Sequence, residues 1–317
     1  NCRNLLILYL KHKINKRSVD EIIKSLKELD LSTYPVDEIR RLLNSLGQAA
    51  HIVVSYHKGK SIIRVRPNSK YQKFNCIDQL SYKPQKYNTT YQRASTPHKT
   101  MFYGCTVADN PSKGELDNAR AIAPFEAVKW LRDKKKKGYQ KITYSRWHVK
   151  EDLNLLAIVF KETFYKSNSF TKELVDAYKE IFKFQSPEMI ENSMKIQDFL
   201  AEEFSKEDTD NDYEYLISAL FSEMCVKKGF DGVFYPSVRV GGMGFNIAIT
   251  PQATHKLRLY AAGESSVYKL YDHTVIGNDS ILKYKGNRRK LKFKRIISHR
   301  KECLNQLGLK SMDDLYS

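Results

Sequence analysis

The 317-residue sequence predicts an α+β fold, and three observations lead to that prediction. Apolar residues recur every three or four positions through residues 1–49, which is the period of an amphipathic helix. Two long helical segments follow each other directly in residues 170–204, and four β-rich runs stand together in residues 230–272. Elements that come in such blocks favour α+β, whereas strict alternation of strand and helix would indicate a doubly wound parallel sheet.

The N-terminal region, residues 1–60, is predicted to be a small helical region that precedes the core. Its period is clearest in VDEIIKSLKEL and VDEIRRLLNSL. Two β-rich runs around Lys58, Gly59 and Lys60 predict a β-hairpin at its end. Three helices followed by a hairpin fit a winged-helix DNA-binding unit, and they fit a helical cap equally well. Both interpretations stay open.

The next stretch, residues 67–100, is polar and tyrosine-rich and predicts a functional loop, since it has no period of its own. A short buried strand follows in TMFYGCTVA. Residues 122–138 predict one helix, with Pro124 near its start and Gly138 just after its lysine-rich end. YQKITYSRWHV and DLNLLAIVF then read as strands.

Three helices and a series of strands complete the predicted fold. The helices are FTKELVDAYKEIFKF, SPEMIENSMKIQDFLAEEF and YLISALFSEMCVKKG, and the second begins with Ser186 as N-cap before Pro187. Strands follow in residues 230–235, NIAIT, KLRLYAA and SVYKLYD. The remaining segment, residues 276–317, is predicted to be a densely basic tail.

Charge and cysteine content limit the function classes. The net charge of +18 suits nucleic acid or a phosphorylated ligand as partner, although lysines scattered along the whole chain also give a diffusely basic surface. Five well-separated cysteines without a C-x-x-C pair predict neither a disulfide framework nor a zinc site, and they favour a cytoplasmic location. The apolar runs NLLILYL and LNLLAIVF are far too short to span a membrane.

One stretch, GFDGVFYPSVRVGGMGFNIAI at residues 229–249, changes character halfway along. Phe230, Val233 and Phe234 belong in a core, but a proline, Ser237, Arg239 and three glycines follow them. The glycines at 241, 242 and 244 permit positive φ angles and a close backbone approach. Neither G-x-G-x-x-G nor G-x-S-x-G occurs here, so the stretch indicates neither a dinucleotide-binding Rossmann turn nor a serine-hydrolase elbow.

Two other segments combine apolar surroundings with a functional side chain. Arg93 lies in a loop ten residues before Tyr103, which sits on an apolar strand. Glu126 falls in the most apolar part of its predicted helix, beside Phe125. The carboxylate either faces solvent or faces inward, and in the second case it needs a polar partner or a function.

These three segments together resemble the RES domain family, which is named after its arginine, glutamate and serine. The matching pieces are RASTP…MFYG (93–104), AIAPFEA (121–127) and FDGVFYPSVRVGGMGFNIAI (230–249), and SIIRVRP (61–67) resembles the arginine-bearing strand that opens the domain. The resemblance covers roughly residues 61–260. It implies an ADP-ribosyltransferase-like mixed sheet core with flanking helices, and we place the NAD-binding catalytic domain at residues 61–275.

The resemblance also implies a function: toxins of toxin–antitoxin pairs that consume NAD or transfer ADP-ribose and are restrained by an antitoxin protein. NAD is then a substrate, no metal is expected, and an antitoxin and a second copy of the chain are candidate protein partners. The expected catalytic residues are Glu126, Arg93 and Ser237. The expected NAD-binding residues are Tyr103, Arg64, Arg66, Arg239 and Asn246.

Particular roles follow for these residues. Glu126 would hold the ribose 2′-hydroxyl, arginine forks would bind the diphosphate, Tyr103 would stack on nicotinamide, and Ser237 would hydrogen-bond the ribose or amide. Arg239 would either touch phosphate or pair with an acid, and the three glycines would thin the cavity wall. Ser95 and His98 stand where the family usually has Asn and Gly, and Glu115 is a second candidate carboxylate. A nucleic-acid-binding regulator and a non-catalytic interaction module remain as alternatives.

Overall fold

The computed structural model describes residues 17–46, 50–207, 211–282 and 290–316. The predicted α+β fold is confirmed, because a ten-stranded mixed sheet is combined with eight α-helices in these residues. The apolar run near the N-terminus (residues 5–10) and the most basic part of the tail (residues 283–289) lie outside the described residues.

The element bounds follow chain order. The helices are α1 Val19–Glu28, α2 Val36–Ser45, α3 Ala123–Ala127, α4 Glu162–Ser167, α5 Ser169–Phe182, α6 Pro187–Phe204, α7 Leu216–Lys227 and α8 Arg300–Gln306. The strands are β1 Ile52–Tyr56, β2 Ser61–Pro67, β3 Phe102–Thr106, β4 Lys137–Val149, β5 Leu153–Ala157, β6 Gly232–Pro236, β7 Phe245–Ile249, β8 Leu257–Leu270, β9 His273–Leu282 and β10 Phe293–Arg295.

The strand order across the sheet is β1-β5-β6-β7-β3-β2-β4-β8-β9-β10. Only β5 and β6 run parallel, and the other eight neighbouring pairs are antiparallel. The pairing of β2 with β3 is restricted to one residue pair, Ile63 with Cys105. From that point the two strands diverge, which leaves a gap in the middle of the sheet.

Apolar side chains cover both faces of the sheet. Alternate residues of a strand point to opposite faces, and on β2 Ile62 joins the larger core cluster while Ile63 joins a second, smaller one. Helices α1, α2, α5, α6 and α7 contribute to the larger cluster, and α3 with its flanking segment covers the smaller one. The predicted core residues Phe230, Val233 and Phe234 are buried in the larger cluster.

The predicted hairpin around Gly59 is wrong. β1 pairs with β5, and β2 pairs with β3 and β4, so the two strands enter different parts of the sheet. Long-range strand pairing therefore overrides the local turn signal. The β-hairpin that a winged-helix unit requires is not formed by β1 and β2. The proposed boundaries at residues 60 and 275 also fall differently, because β1 belongs to the sheet and β9 runs across residue 275.

The single helix predicted for residues 122–138 is also wrong. α3 ends at Ala127, a short 3-10 helix occupies Lys129–Arg132, and β4 begins at Lys137. The break lies at Val128, whose backbone is extended (φ −121°, ψ 97°). Val128 is buried in the smaller core cluster, and a β-branched side chain favours this conformation over a helical one. The break places Glu126 in the last turn of a very short helix.

Candidate active site

The gap between β2 and β3 opens into a cavity of about 550 Å³. Both faces of β2 contribute to it, since Ile63 and Val65 line it along with Arg64 and Arg66. This volume lies within the usual range of small-molecule sites. Six cationic side chains line the cavity, and Glu126 is the only carboxylate among the described residues that do so. The cations are Arg64, Arg66, Lys83, Arg93, Arg132 and Arg239.

The carboxylate of Glu126 faces inward and is held by two donors. Ser237 Oγ donates to Glu126 Oε1 at 2.5 Å, and Asn246 Nδ2 donates to the same oxygen at 2.8 Å. Among the described residues, no donor contacts Oε2. The carboxylate is therefore fixed through one oxygen, and the other is available to a ligand in the cavity.

Ser237 contacts Glu126 but is not part of the cavity surface. Its side chain is fully buried and does not line the cavity. The predicted hydrogen bond from Ser237 to a ribose or amide is corrected accordingly, because the hydroxyl hydrogen is already donated to Glu126. Asn246, by contrast, lines the cavity as well as donating to Glu126.

A third residue, Cys105, lines the cavity and supports the Glu126 carboxylate through Asn246. Cys105 is the neighbour of Asn246 across β3 and β7, and its Sγ donates to Asn246 Oδ1 at 3.3 Å. Burial and then the charge of Glu126 raise the pKa of the Cys105 thiol well above its usual range, so the thiol keeps its proton. Cys105 is not among the site residues predicted from the sequence, because a lone cysteine on a strand carries no local signal for this contact.

Arg93 lies in the cavity wall and is anchored on α6. Its two terminal nitrogens donate to the carbonyls of Phe204 (2.5 Å) and Lys206 (2.6 Å) at the C-terminal end of that helix, and the guanidinium stacks on Tyr215 at 5.2 Å. Carbonyl groups at a helix C-terminus carry partial negative charge and attract a cation. Arg93 thus stabilises the contact between its loop and α6, and it also lines the cavity. Its guanidinium has further N–H groups that can bind a ligand.

Tyr103 connects the arginine loop to the sheet. The Ala94 amide donates to its phenolic oxygen at 3.1 Å, and Ser95 Oγ lies 2.8 Å from the same oxygen. Burial raises the pKa of Tyr103 to about 12, against the hydrogen bonds with Ser95 and Ala94. Tyr103 lines the cavity, where the resemblance predicts that it stacks on nicotinamide. Next in the loop, His98 has a φ of 59°, the left-handed region where glycine is favoured.

Arg64 and Arg66 combine structural contacts with a place in the cavity wall. Arg64 donates to Ser81 O (3.0 Å) and, across the gap, to Tyr103 O (2.6 Å), while Arg66 donates to Gln79 O. Burial and the nearby charge of Arg66 lower the pKa of Arg64 to about 10, so the group stays charged at neutral pH. Both predicted arginines therefore present positive charge to a ligand.

The glycines after Ser237 do not line the cavity, and their predicted role is wrong. Gly241 and Gly242 have φ angles of 58° and 83° and form the turn between β6 and β7. A Cβ at Gly242 would lie 2.8 Å from Phe164, and one at Gly244 would lie 2.1 Å from Ile122. Arg239, by contrast, lies in a 3-10 helix and lines the cavity.

Glu115 is not part of the site. It accepts hydrogen bonds from the backbone amides of Ser112 (3.1 Å) and Ser169 (2.6 Å), and it also accepts one from the Ser169 hydroxyl. These contacts join the segment before α3 to the first residue of α5. Of the two candidate carboxylates, Glu126 lines the cavity and Glu115 does not.

Glu223 on α7 fixes the arginine loop from outside the cavity. It accepts from Thr96 Oγ1 (3.1 Å) and pairs with Lys99 (3.0 Å), Lys227 (2.7 Å) and Arg40 of α2 (3.4 Å). Burial on its own would raise the pKa of Glu223, but the hydrogen bonds from Lys227 and Lys99 and the charges of Lys99 and Arg40 lower it to about 2.

We expect Glu223→Gln to lower the free energy of unfolding by about 2 kcal/mol at pH 7, since the folded state favours the ionised carboxylate. That stabilisation is complete above pH 4.5 and is lost as the pH falls towards 2. Urea unfolding of both proteins at pH 7 and pH 3 measures it. A difference between wild type and variant that does not shrink at pH 3 would contradict this role.

Comparison with known proteins assigns no family: no protein-family model matches the chain, and no curated protein matches its sequence. Within the described residues, no three His, Cys, Asp or Glu side chains group together as metal ligands, and no helix has the length and apolar character needed to cross a membrane. The structure brings the eight predicted site residues to one place: seven line the cavity, and Ser237 contacts Glu126 behind its wall.

Proposed function

We propose that the chain is a RES-type enzyme that cleaves the nicotinamide–ribose bond of NAD. The observation that carries the proposal is the carboxylate of Glu126, held by Ser237 and Asn246 in a cavity where the other charged side chains among the described lining residues are all cations. NAD has the matching chemistry, because it combines a diphosphate with a ribose that becomes positively charged when the bond breaks.

The geometry suits this bond cleavage. Nicotinamide leaves with the bonding electron pair and becomes neutral, so no proton donor is needed, and positive charge develops on the ribose. Glu126 Oε2 would accept a hydrogen bond from the 2′-hydroxyl and stabilise that charge, in a partly buried site where such interactions are strong. Arg64, Arg66 and Arg93 would bind the diphosphate, since guanidinium groups bind two phosphate oxygens at once.

The acceptor of ADP-ribose stays open between water, phosphate and a protein. The resemblance further supports a cytoplasmic toxin that is restrained by an antitoxin protein, and a homodimer is compatible with it. These partners are proposals that rest on the resemblance alone, while the proposed bond cleavage rests on the resemblance together with the charges and contacts of the cavity.

The direct experiment is incubation of the purified chain with NAD, with release of nicotinamide followed by chromatography. We expect the wild type to release nicotinamide in step with NAD loss, and Arg93→Ala to lower kcat/KM by about 10- to 100-fold because a charged ligand contact is lost. Glu115→Gln is the matched control and should retain full activity, since its carboxylate lies outside the cavity. NAD left intact by inhibitor-free wild type would overturn the proposal.

A second candidate function, nucleic-acid binding, is favoured by one observation. The segment 292–301, which includes β10 and the start of α8, exposes five cations, namely Lys292, Lys294, Arg295, Arg300 and Lys301. Phosphate contacts of this kind release counterions, so binding would weaken steeply as salt increases. Fluorescence anisotropy with labelled RNA and DNA between 50 and 200 mM salt tests it, and affinity that does not change with salt would exclude it.

A further inference from the structure

Arg132 lies directly beside Glu126 and lines two neighbouring cavities. One is the cavity of about 550 Å³, and the other, of about 420 Å³, lies on the far side of Arg132 and Arg239. In the sequence, Arg132 belongs to the basic segment WLRDKKKK, and nothing in that segment predicts a role for Arg132 in the site. Its position depends on the chain break at Val128, which turns residues 129–132 back along α3.

The guanidinium of Arg132 holds the backbone of Glu126 itself. Its Nε donates to Phe125 O at 2.6 Å, and one terminal nitrogen donates to Glu126 O at 2.8 Å. These carbonyls belong to the last turn of α3, where carbonyl groups have no partner within the helix. A planar fork with two parallel N–H groups matches two neighbouring carbonyl oxygens, and a lysine ammonium does not.

α3 needs this support because it is a single turn. An isolated helix of five residues is unstable in water, since nucleation costs more than one turn of hydrogen bonds returns. Ser237 and Asn246 hold the Glu126 side chain, whereas Arg132 holds the peptide groups on either side of its Cα. Without the fork, the carboxylate would remain tethered at its tip while its backbone could move.

We propose that Arg132 is the positioning residue of Glu126, an inference that rests on the proposed NAD cleavage. It fixes the end of α3 so that Oε1 stays on its two donors and Oε2 stays directed at the reacting ribose. A displacement of about 1 Å at a reacting group can cost about 100-fold in rate. Because Arg132 also lines the cavity, the competing role is a simple ligand contact to phosphate.

Steady-state kinetics with NAD separate the two roles. We expect Arg132→Ala and Arg132→Lys each to lower kcat by about 10- to 100-fold, with KM changed by less than about threefold, because the transition state is affected more than binding. The matched control is Arg120→Ala. Arg120 stacks on Tyr144 and donates to Asn278 Oδ1, away from Glu126, so its loss should leave kcat unchanged.

Hydrogen–deuterium exchange provides a readout that needs no activity. The Val128 amide donates to Pro124 O at 2.9 Å, and we expect exchange in residues 123–128 to accelerate in Arg132→Ala but not in Arg120→Ala, while β4 stays protected in both. A rise in KM alone, or unchanged kcat and unchanged exchange, would overturn the positioning role. A wild type that leaves NAD intact would instead remove the proposed function, and the exchange result would still decide whether Arg132 fixes α3.

Discussion

Glu126→Gln is expected to lower the rate of nicotinamide release by about 100- to 1,000-fold while NAD still binds. The substitution removes the negative charge that would stabilise the ribose cation, and such electrostatic contributions are among the largest in enzyme catalysis. The amide oxygen of glutamine can still accept the hydrogen bonds from Ser237 and Asn246, so the fold should be preserved. Rates from chromatography and affinities from calorimetry measure both effects.

Glu115 provides the control for the Glu126→Gln variant. Glu115 lies only eleven residues earlier, but it holds the start of α5 through Ser169 and does not line the cavity. Glu115→Gln should therefore lose some stability and keep its turnover rate. An active Glu126→Gln protein beside an inactive Glu115→Gln protein would reassign the carboxylate and leave the rest of the cavity in place.

Removing the two donors to Glu126 is the second large expected effect. Ser237→Ala and Asn246→Leu should each lower kcat by about 10- to 100-fold, because a hydrogen bond to a charged group contributes about 1.5 to 3 kcal/mol. Both donors contact the same oxygen, at 2.5 Å and 2.8 Å. When one donor is removed, the other still restrains the carboxylate.

A double-mutant cycle on these two residues tests that coupling. Residues that share a partner show interaction energies of about 0.5 to 3 kcal/mol, so the double variant should depart from the product of the single effects. A buried serine with no link to catalysis provides the comparison: Ser222→Ala removes only a hydrogen bond to Ser218 O within α7. Additive effects would show that the two donors act independently of each other, and losses matched by Ser222→Ala would show that they act only through stability.

Part of the site could be predicted from the resemblance, whereas side-chain chemistry alone left the direction of Glu126 and the role of Ser237 undecided. The resemblance joins Glu126 in an apolar stretch with Ser237 at the end of an apolar strand, and in the structure Ser237 donates a hydrogen bond to Glu126. What could not be predicted is the chain path between them. Val128 breaks the helix because it packs into a core to which distant strands contribute. No local sequence pattern predicts that contact.

The errors have a common physical cause. The Lys58–Lys60 segment has the composition of a hairpin turn, yet β1 finds its partner in β5, about one hundred residues away. The glycines at 241, 242 and 244 are compatible with a tight turn and also with a thin cavity wall. Gly242 packs against Phe164 and Gly244 packs against Ile122, which supports the turn. Arg132 and Cys105 contribute through contacts with backbone and amide groups, which leave no signature in residue type or spacing.

The most direct measurement is a crystal structure of the Glu126→Gln protein with NAD bound. The account predicts the dinucleotide in the gap between β2 and β3, with its diphosphate on the arginines and the nicotinamide ribose within hydrogen-bond distance of the side chain at position 126. NAD bound elsewhere on the chain, or a cavity that stays empty at millimolar NAD, would contradict it.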